Sequence, residues 1–516
     1  MCNGGNLNNL FFNNLKVSYS DWNKVPSNIK VKIEGTGTLD ANKTVSDLEI
    51  SSEVTASVAA GKQLTVTGTA TNNGTIKLLS SEADGTATLV GDVTGTAEVH
   101  QSVTTGRYWY VASPVSSAAS KVLGSSVYYY DAAASKSAYV TTTTNALSPG
   151  VGYAVSPSGT NFAFTGTLNN GDQTATIAYN GNTADAFRGY NLIGNPYPSA
   201  LNWNNVWAKS ENRSAVKSTI WFNSNGTFET YNASGSVGVP NDVKGYIPPI
   251  QGSWVLASDA ASSTTSSSKT LSFDNTMRSH GPATGSNPLR APQSAASENQ
   301  LIRLQATNGT ATDETVLYFN SHAADTYDNY DSRKMMSDNA SQIYTLLNGM
   351  PIVINGMNTI PYNTEIPVAF KTVAAGEYPI KASEFSNFTS GESLILTDKT
   401  NGTQTDLSVS DYTFTSSIGT DVSRFALTIQ RVGTSVEGNN SQNSLQVVQT
   451  NGRIQILLPS FESGAVAYVY NNIGQIAAKS DITGTVTTMN QNLPSGVYIV
   501  KVMTGTHELT EKIIVK

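Results

Sequence analysis

The chain has 516 residues, of which only 13% are charged, and its formal net charge is −7 at pH 7. This charged share is about half that of an average soluble domain. No basic stripe is present, which argues against a nucleic-acid partner, and no apolar run reaches the ~18 residues that span a bilayer.

The N-terminal stretch MCNGGNLNNL has neither the charged region nor the apolar region of a signal peptide. Cys2 is the only cysteine, so no disulfide can form within the chain. We expect Cys2 to be a free thiol on a truncated chain. The alternative is a lipoprotein stump with lipid on Cys2.

Residues 1–100 contain short apolar runs about 11 to 17 residues apart, with turns rich in Asn and Gly between them. This pattern favours a β-solenoid segment, with a β-sandwich as the alternative. The stretch GGNLNNLFFNNLKV resembles one more coil, so we expect the solenoid to continue upstream; alternatively, Phe11, Phe12 and Trp22 cap it. The runs are IKVKIEG (29–35), DLEI (47–50), QLTVTG (63–68), GTIKLL (74–79) and ATLVG (87–91).

Residues 101–280 contain longer predicted strands and an internal sequence repeat. GRYWYVASP (106–114) is similar to RGYNLIGNPYP (188–198), and LSPGVGYAVS (147–156) is similar to IPPIQGSWVLAS (247–258). The repeat predicts a pseudo-repeated β-sandwich.

Residues 281–298 are rich in Pro and Ser without periodicity, which predicts a linker. A second β-sandwich domain is predicted over 299–432, with an Asn-Gly hairpin at 398–407. Only SRKMMSDNASQIYTLL (332–347) has the pattern of a helix. A second linker is predicted at 433–444.

Residues 445–516 read as six or seven short strands, which is typical of an immunoglobulin-like sandwich. In GVYIVKV, alternation places Tyr498, Val500 and Val502 on one face, with Val497 and Ile499 on the other. We expect Pro494 to fix φ before this strand, and Gly496 to supply angles closed to other residues. The fold class expected for the whole chain is all-β.

The blocks AYVYNNIGQIAAK (467–479), LPSGVYIVKV (493–502) and EKIIVK (511–516) resemble the type A C-terminal sorting domain of the type IX secretion system of Bacteroidetes. The sorting-signal positions that this resemblance implies are Pro494, Gly496, Tyr498, Val500, Lys501, Val502, Lys512 and Lys516.

The resemblance implies export through the periplasm and across the outer membrane, followed by removal of the tail by a surface protease. The type IX translocon and that protease are the implied partners, and the implied location is extracellular or the outer-membrane surface. Segments such as GYNLIGNPYPSALNWN and FDNTMRSHG also resemble regions that precede sorting domains in secreted Bacteroidetes surface proteins.

Catalytic and metal motifs are weak. The four histidines lie far apart and no HExxH, CxxC or GxSxG pattern occurs, so we expect neither enzyme activity nor a cofactor, although 38 acidic residues leave carboxylate pairs possible. The weak metal candidate is calcium at Asp325, Asp328 and Asp331, whose spacing fits a solvated turn equally well.

Aromatic residues suggest a glycan-stacking surface at YWY (108–110), YYYD (128–131), Trp203, Trp207, Trp221 and Trp254. The alternative is that these rings belong to the core. We therefore expect a secreted, non-catalytic structural or adhesin-type surface protein, with an extracellular glycan or a host or cell surface as a possible partner. The alternative is a carbohydrate-binding or accessory region of a secreted polysaccharide-degrading enzyme.

Overall fold

The computed structural model describes residues 21–515 except 143–144, 259–263, 282–298, 310, 390, 432–445, 451–452, 459–460, 462, 490–492 and 504–507. Cys2, Lys516, the linker at 433–444 and nearly all of the linker at 281–298 lie outside the described residues. The chain forms two compact units. One covers residues 1–388 with Leu394–Ile429, and the other covers Thr389–Ser393 with Gln430–Lys516. The domain boundaries expected at 100 and 298 would divide the first unit further and stay predictions.

Residues 30–102 form a three-sided stack that consists mainly of short parallel strands. Strands that follow one another along the chain lie on different sides, and each pairs with its counterpart one coil later, as in β1-β4-β7, β3-β6-β11 and β2-β5-β8-β12. Alternate residues such as Leu48 and Ile50 point into the stack and are almost fully buried. The expected solenoid is confirmed. Its elements are the 3-10 helix η1 (Trp22–Lys24) and the strands β1 (Lys30–Ile33), β2 (Gly37–Leu39), β3 (Lys43–Val45), β4 (Asp47–Ile50), β5 (Thr55–Val58), β6 (Gln63–Val66), β7 (Ala70–Asn72), β8 (Thr75–Leu78), β9 (Ser80–Ser81), β10 (Gly85–Thr86), β11 (Thr88–Val90) and β12 (Thr96–Ser102).

The region that follows continues the solenoid sheet, because β12 pairs in parallel with β8 and antiparallel with β18. One hydrophobic core therefore runs from Val25 to Leu168. The elements of this region are β13 (Trp109–Val111), β14 (Val115–Ser116), η2 (Ser120–Leu123), β15 (Val127–Asp131), β16 (Ala138–Thr141), β17 (Tyr153–Val155), β18 (Asn161–Leu168), β19 (Gln173–Tyr179), β20 (Tyr190–Gly194), β21 (Ala200–Asn202), α1 (Trp203–Ala208), α2 (Ser210–Ala215), β22 (Val216–Ser224), β23 (Thr227–Asn232), β24 (Val237–Val239), β25 (Tyr246–Ile247), β26 (Gly252–Ala257), β27 (Ser267–Phe273), η3 (Asn275–Met277) and β28 (Arg278–Ser279).

Two sheets in this region share one strand order. The first runs β13-β17-β15-β16 and the second runs β20-β26-β22-β23-β24. The matched sequence segments fall on β13 and β20, and on β17 and β26. The sheets contact each other reciprocally, since Ala112 N donates to Ile250 O at 2.8 Å and Gly194 N donates to Gly150 O at 2.9 Å.

Residues 274–280 tie this region to the solenoid. The Arg278 guanidinium is buried, donates to Asp92 Oδ1 at 2.9 Å and to Gly91 O at 2.9 Å, and lies over the Tyr197 ring at 5.1 Å. The two ring nitrogens of His280 contact the hydroxyls of Thr65 and Thr88, each at 2.7 Å. The stretch FDNTMRSHG thus has a structural role in this chain.

Residues 300–431 form one large sheet in the order β37-β36-β39-β34-β32-β33-β30-β29-β35-β38, with β31 paired to β33. The helix expected within 332–347 was wrong. The segment forms β32, which lies between β33 and β34 and pairs with both, and its Ile343 and Tyr344 side chains are buried in the sheet. The hairpin at 398–407 is confirmed. The strands are β29 (Gln300–Thr307), β30 (Thr312–Phe319), β31 (Ser332–Arg333), β32 (Gln342–Leu347), β33 (Met350–Met357), β34 (Ile366–Thr372), β35 (Gly376–Ser386), β36 (Glu392–Asp398), β37 (Thr403–Asp406), β38 (Tyr412–Ser416) and β39 (Gly419–Arg431).

The tail is a small sandwich of two antiparallel sheets, β40-β41-β44 and β43-β42-β45-β46. Tyr498, Val500 and Val502 are buried between the sheets, whereas Val497 and Ile499 face outward. The two sets thus lie on opposite faces, as alternation predicts. The strands are β40 (Gln446–Thr450), β41 (Arg453–Leu457), β42 (Val466–Tyr470), β43 (Ile476–Asp481), β44 (Val486–Thr488), β45 (Gly496–Met503) and β46 (Glu508–Val515). No helix among the described residues is long and apolar enough to cross a membrane.

Candidate functional site

Three of the residues predicted to carry the sorting signal, Tyr498, Val500 and Val502, lie in the core of the tail sandwich. The Tyr498 ring is buried, and its hydroxyl donates to Pro494 O at 3.0 Å, which holds the turn that enters β45. Lys512 lies on β46 opposite Ile499 and is exposed.

The conformational explanation for Gly496 was wrong. Gly496 starts β45 without a positive φ, and an added Cβ would come no closer than 3.5 Å to a neighbouring atom. Its identity is therefore not explained by backbone angle or by crowding.

An apolar patch covers the outer face of the same sheet. Val497 is 41% exposed, Ile499 45% and Ile514 60%. Next to them lies a shallow concavity of about 560 Å³ that includes Tyr470 and Lys512. This outer face therefore combines apolar area from Val497, Ile499 and Ile514 with the positive charge of Lys512.

Two of the calcium candidates, Asp328 and Asp331, accept hydrogen bonds from backbone amides of their own loop and of β33. Asp331 accepts hydrogen bonds from Asp328 N at 2.9 Å and from Gly356 N at 3.0 Å, and Asp328 accepts from Ala324 N at 2.9 Å. Burial raises the pKa of Asp331 to about 7. No group of three or more His, Cys, Asp or Glu side chains suited to a metal ion occurs among the described residues.

The tryptophans proposed as stacking platforms lie mostly in the core. Trp203 and Trp221 are completely buried and Trp254 is 5% exposed. Trp207 is half-buried beside the Arg213 guanidinium. Among the aromatic candidates, it is the tyrosines that reach the surface.

A row of three side chains crosses the sheet β13-β17-β15. Tyr110 pairs with Ala154, and Ala154 pairs with Tyr128. Directly opposite residues share one face of a sheet, so the small Ala154 leaves a gap between two tyrosine rings. This gap is part of an open cleft of about 550 Å³. We call it the tyrosine cleft; its lining residues are Gly106, Arg107, Tyr108, Tyr110, Tyr128, Tyr139, Ala154, Asn223, Asn225, Gly226 and Asn339.

Two of the tyrosine rings that line the cleft pack against Trp254. Tyr110 and Tyr139 meet the Trp254 ring edge to face at 5.8 and 6.2 Å between centroids. The Tyr139 hydroxyl donates to the Tyr110 hydroxyl at 2.8 Å. Burial and the neighbouring Tyr110 phenol raise the pKa of Tyr139, so its hydroxyl stays protonated. The Tyr110 and Tyr139 rings are thus held in place before any ligand arrives.

Asparagine amides form one rim of the cleft. The hairpin β22–β23 turns through Asn225 and Gly226, both with positive φ (53° and 85°), which is the geometry of a type I′ turn. Asn223 Oδ1 accepts from Gly226 N at 3.1 Å. Because Gly226 has no Cβ, the Asn339 amide can lie against it; a Cβ there would be 2.0 Å from Asn339 Nδ2.

Arg107 and Tyr108 also line the cleft. The Arg107 guanidinium lies 4.5 Å from the centroid of the Trp109 ring, and burial lowers the pKa of Arg107. Arg107 Nε is buried and has no hydrogen-bond partner among the described residues. Tyr108 is 56% exposed. Arg107 is the one charged side chain among those that line the cleft.

Sequence reasoning singled out Tyr108, Tyr110 and Tyr128 but missed Tyr139, Arg107 and the asparagine rim. The Asn-Gly pair at 225–226 is a hairpin signal that predicts the turn. Nothing in the sequence shows that this turn lies beside a tyrosine more than a hundred positions earlier.

The fold and the tail together define an exported β-rich protein with a C-terminal sorting domain. Residues 437–516 match the family described as the secretion system C-terminal sorting domain, which confirms the resemblance to type IX cargo proteins. Residues 20–429 match the family described as a domain of unknown function (DUF8693), and the chain belongs to that family.

The tail implies recognition by the type IX secretion machinery and export to the cell surface or the extracellular space. No curated protein matches the chain. One solved structure, "Biofilm associated protein - BSP domain", is 9% identical over 81% of this chain and 92% of that chain, with a TM-score of 0.13. A TM-score this low carries no argument about fold or function.

Proposed function

We propose that residues 20–429 act at the cell surface as a non-catalytic, adhesin-type module that binds an extracellular ligand. The tail delivers this module to the surface, which follows from its family. The observation that supports a binding role is the tyrosine cleft, where Tyr110 and Tyr139 are held on paired strands by Trp254 and by the hydrogen bond between their hydroxyls. Rings held in place before binding lose little conformational entropy when a ligand covers them.

The test compares attachment of wild-type cells, a strain that lacks this gene and the same strain complemented with it. Attachment is measured on host cells and on polysaccharide-coated surfaces. We expect attachment to be lost in the deletion strain and restored by complementation. Equal attachment of all three strains would overturn the adhesin role.

A second candidate function is a carbohydrate-binding accessory region of a polysaccharide-degrading enzyme, and the same cleft supports it. Reducing ends released from candidate polysaccharides by the purified chain and by the complete gene product separate the two. A binder without turnover in either sample is the result that our proposal expects. Turnover by the complete gene product alone favours the accessory role, and turnover by this chain overturns the non-catalytic proposal.

A further inference from the structure

We propose that the tyrosine cleft binds a glycan, an inference that rests on the proposed binding function and names its ligand class. Its first support is the exposure of two rings, since Tyr108 is 56% exposed and Tyr139 43%. The face of an aromatic ring is electron-rich and its quadrupole attracts positively polarised edges. The C–H groups on one face of a pyranose ring provide such an edge together with apolar area.

The asparagine rim matches the hydroxyl groups of a sugar. A hydroxyl both donates and accepts hydrogen bonds, and a side-chain amide also offers both functions. No hydrogen bond links the side chain of Asn225 to any residue that the structure describes, and Asn225 and Asn339 are exposed at the cleft. The rim therefore has donors and acceptors available at the same cleft as Tyr108.

Arg107 adds a further donor. Its Nε is buried and has no partner within the described part of the chain. An unsatisfied buried donor costs free energy that a ligand oxygen can recover. A sugar hydroxyl, a ring oxygen or a sugar carboxylate can each accept this hydrogen bond.

A proline-rich peptide is the other ligand class that uses grooves lined with aromatic rings. Such a peptide has few N–H groups, because proline lacks one. It would leave the amide oxygens of the asparagine rim without donors. The volume of about 550 Å³ lies within the range of small-ligand sites, roughly 300–1,000 Å³, which suits a short oligosaccharide segment.

The test uses the full chain on an array of neutral oligosaccharides, oligosaccharides with uronic or sialic acid, and proline-rich peptides. The dissociation constant of the best oligosaccharide is then measured by isothermal titration calorimetry. Four variants are compared: Tyr108→Ala, Tyr108→Phe, Asn225→Gly and Phe187→Ala. Asn225→Gly removes the amide but keeps the turn, because glycine accepts positive φ. Phe187 is 60% exposed outside the cleft and serves as the matched aromatic control.

We expect Tyr108→Ala to weaken glycan binding roughly 10-fold to 100-fold, as loss of an aromatic stacking partner does elsewhere. Asn225→Gly should weaken it roughly 2-fold to 10-fold. Tyr108→Phe keeps the ring and should weaken binding less than Tyr108→Ala does, whereas Phe187→Ala, which lies outside the cleft, should stay close to the wild type. All four substitutions are at exposed or half-exposed side chains, and near-ultraviolet circular dichroism checks that each variant is folded.

Absence of glycan binding, binding of proline-rich peptides alone, or equal binding by Tyr108→Ala would overturn the inference. These results are distinct from failure of the adhesin role. Loss of attachment in the deletion strain without glycan binding keeps the proposed function and rejects the glycan ligand. Glycan binding that depends on Tyr108, with unchanged attachment, keeps the cleft assignment and rejects the adhesin role.

Discussion

Replacing Arg278 with methionine should destabilise the larger unit more than any change at its partner Asp92. The Arg278 side chain is 1% exposed, while Asp92 is 50% exposed. Arg278 Nη2 donates to Leu89 O at 3.3 Å and to Gly91 O at 2.9 Å. Methionine has a similar length and fills part of the space, so the substitution mainly removes charge and hydrogen bonds.

The expected loss follows from these contacts. A hydrogen bond from a charged donor contributes about 1.5–3 kcal/mol, and a buried carbonyl left without a donor costs about 1–3 kcal/mol. Asp92 is half exposed, so water solvates its carboxylate when Arg278 is replaced. The total loss in the free energy of unfolding is therefore near the low end for a broken buried ion pair, about 3 kcal/mol. Asp92→Asn keeps both carbonyl contacts and should cost about 1 kcal/mol or less.

The assay is differential scanning calorimetry of the full chain, following the transition of the larger unit. For a cooperative unit of about 400 residues, 1 kcal/mol corresponds to roughly 1 °C in Tm. We therefore expect Tm to fall by about 3 °C in Arg278→Met and by about 1 °C or less in Asp92→Asn. An unchanged Tm in Arg278→Met, or equal shifts in both variants, would show that the buried guanidinium does not hold this region to the solenoid.

Three further changes test other parts of the structure. Burial lowers the pKa of His280 from 6.5 to about 4, so the unfolded state binds a proton at higher pH than the folded state does. The free energy of unfolding should therefore fall by up to about 3 kcal/mol as pH falls from 6.5 to 4. His280→Gln should flatten the plot of Tm against pH over that interval, and an equally steep plot would refute this. Burial raises the pKa of Asp331 from 3.8 to about 7, so the folded state holds this proton up to a higher pH than the unfolded state does. The free energy of unfolding should therefore fall by up to about 4 kcal/mol as pH rises from 4 to 7. Asp331→Asn should remove this decline, whereas Asp338→Asn, at an exposed carboxylate, should leave it unchanged. In the tail, Tyr498→Ala removes a buried ring and should lower the free energy of unfolding by about 3 kcal/mol or more. For so small a unit this corresponds to a fall in Tm of at least ~12 °C. Tyr498→Phe removes only the hydroxyl and should cost about 1 kcal/mol, so a similar Tm for both variants would mean that the ring is not part of the tail core.

The sequence predicts the β class and the tail well because both rest on local signals. Alternation in GVYIVKV places Tyr498 and Val497 on opposite faces of the strand, and the Asn-Gly pair predicts the hairpin at 398–407. The helix expected at 332–347 failed because its polar and apolar residues fit both periods, and pairing of β32 with β33 and β34 decided the outcome.

The candidate site was predictable only in part. The tyrosines near 108–110 and 128–130 stand out in the sequence, and their strands bring them together through Ala154, whose small size has no local signal. The rim depends on residues 223–226 and 339, which reach the cleft through long-range packing. Their contribution follows from the three-dimensional structure alone.

Residues 437–516 match a sorting domain, and we propose that the tail is removed after export, so that the surface function belongs to residues 20–429. Intact-mass measurement with C-terminal peptide mapping, on protein taken from the surface of native cells, shows whether this cleavage occurs. We predict a mature chain that ends between residues 433 and 444. Surface-exposed protein that still carries Lys516 would contradict this account and make the tail sandwich a permanent part of the mature protein.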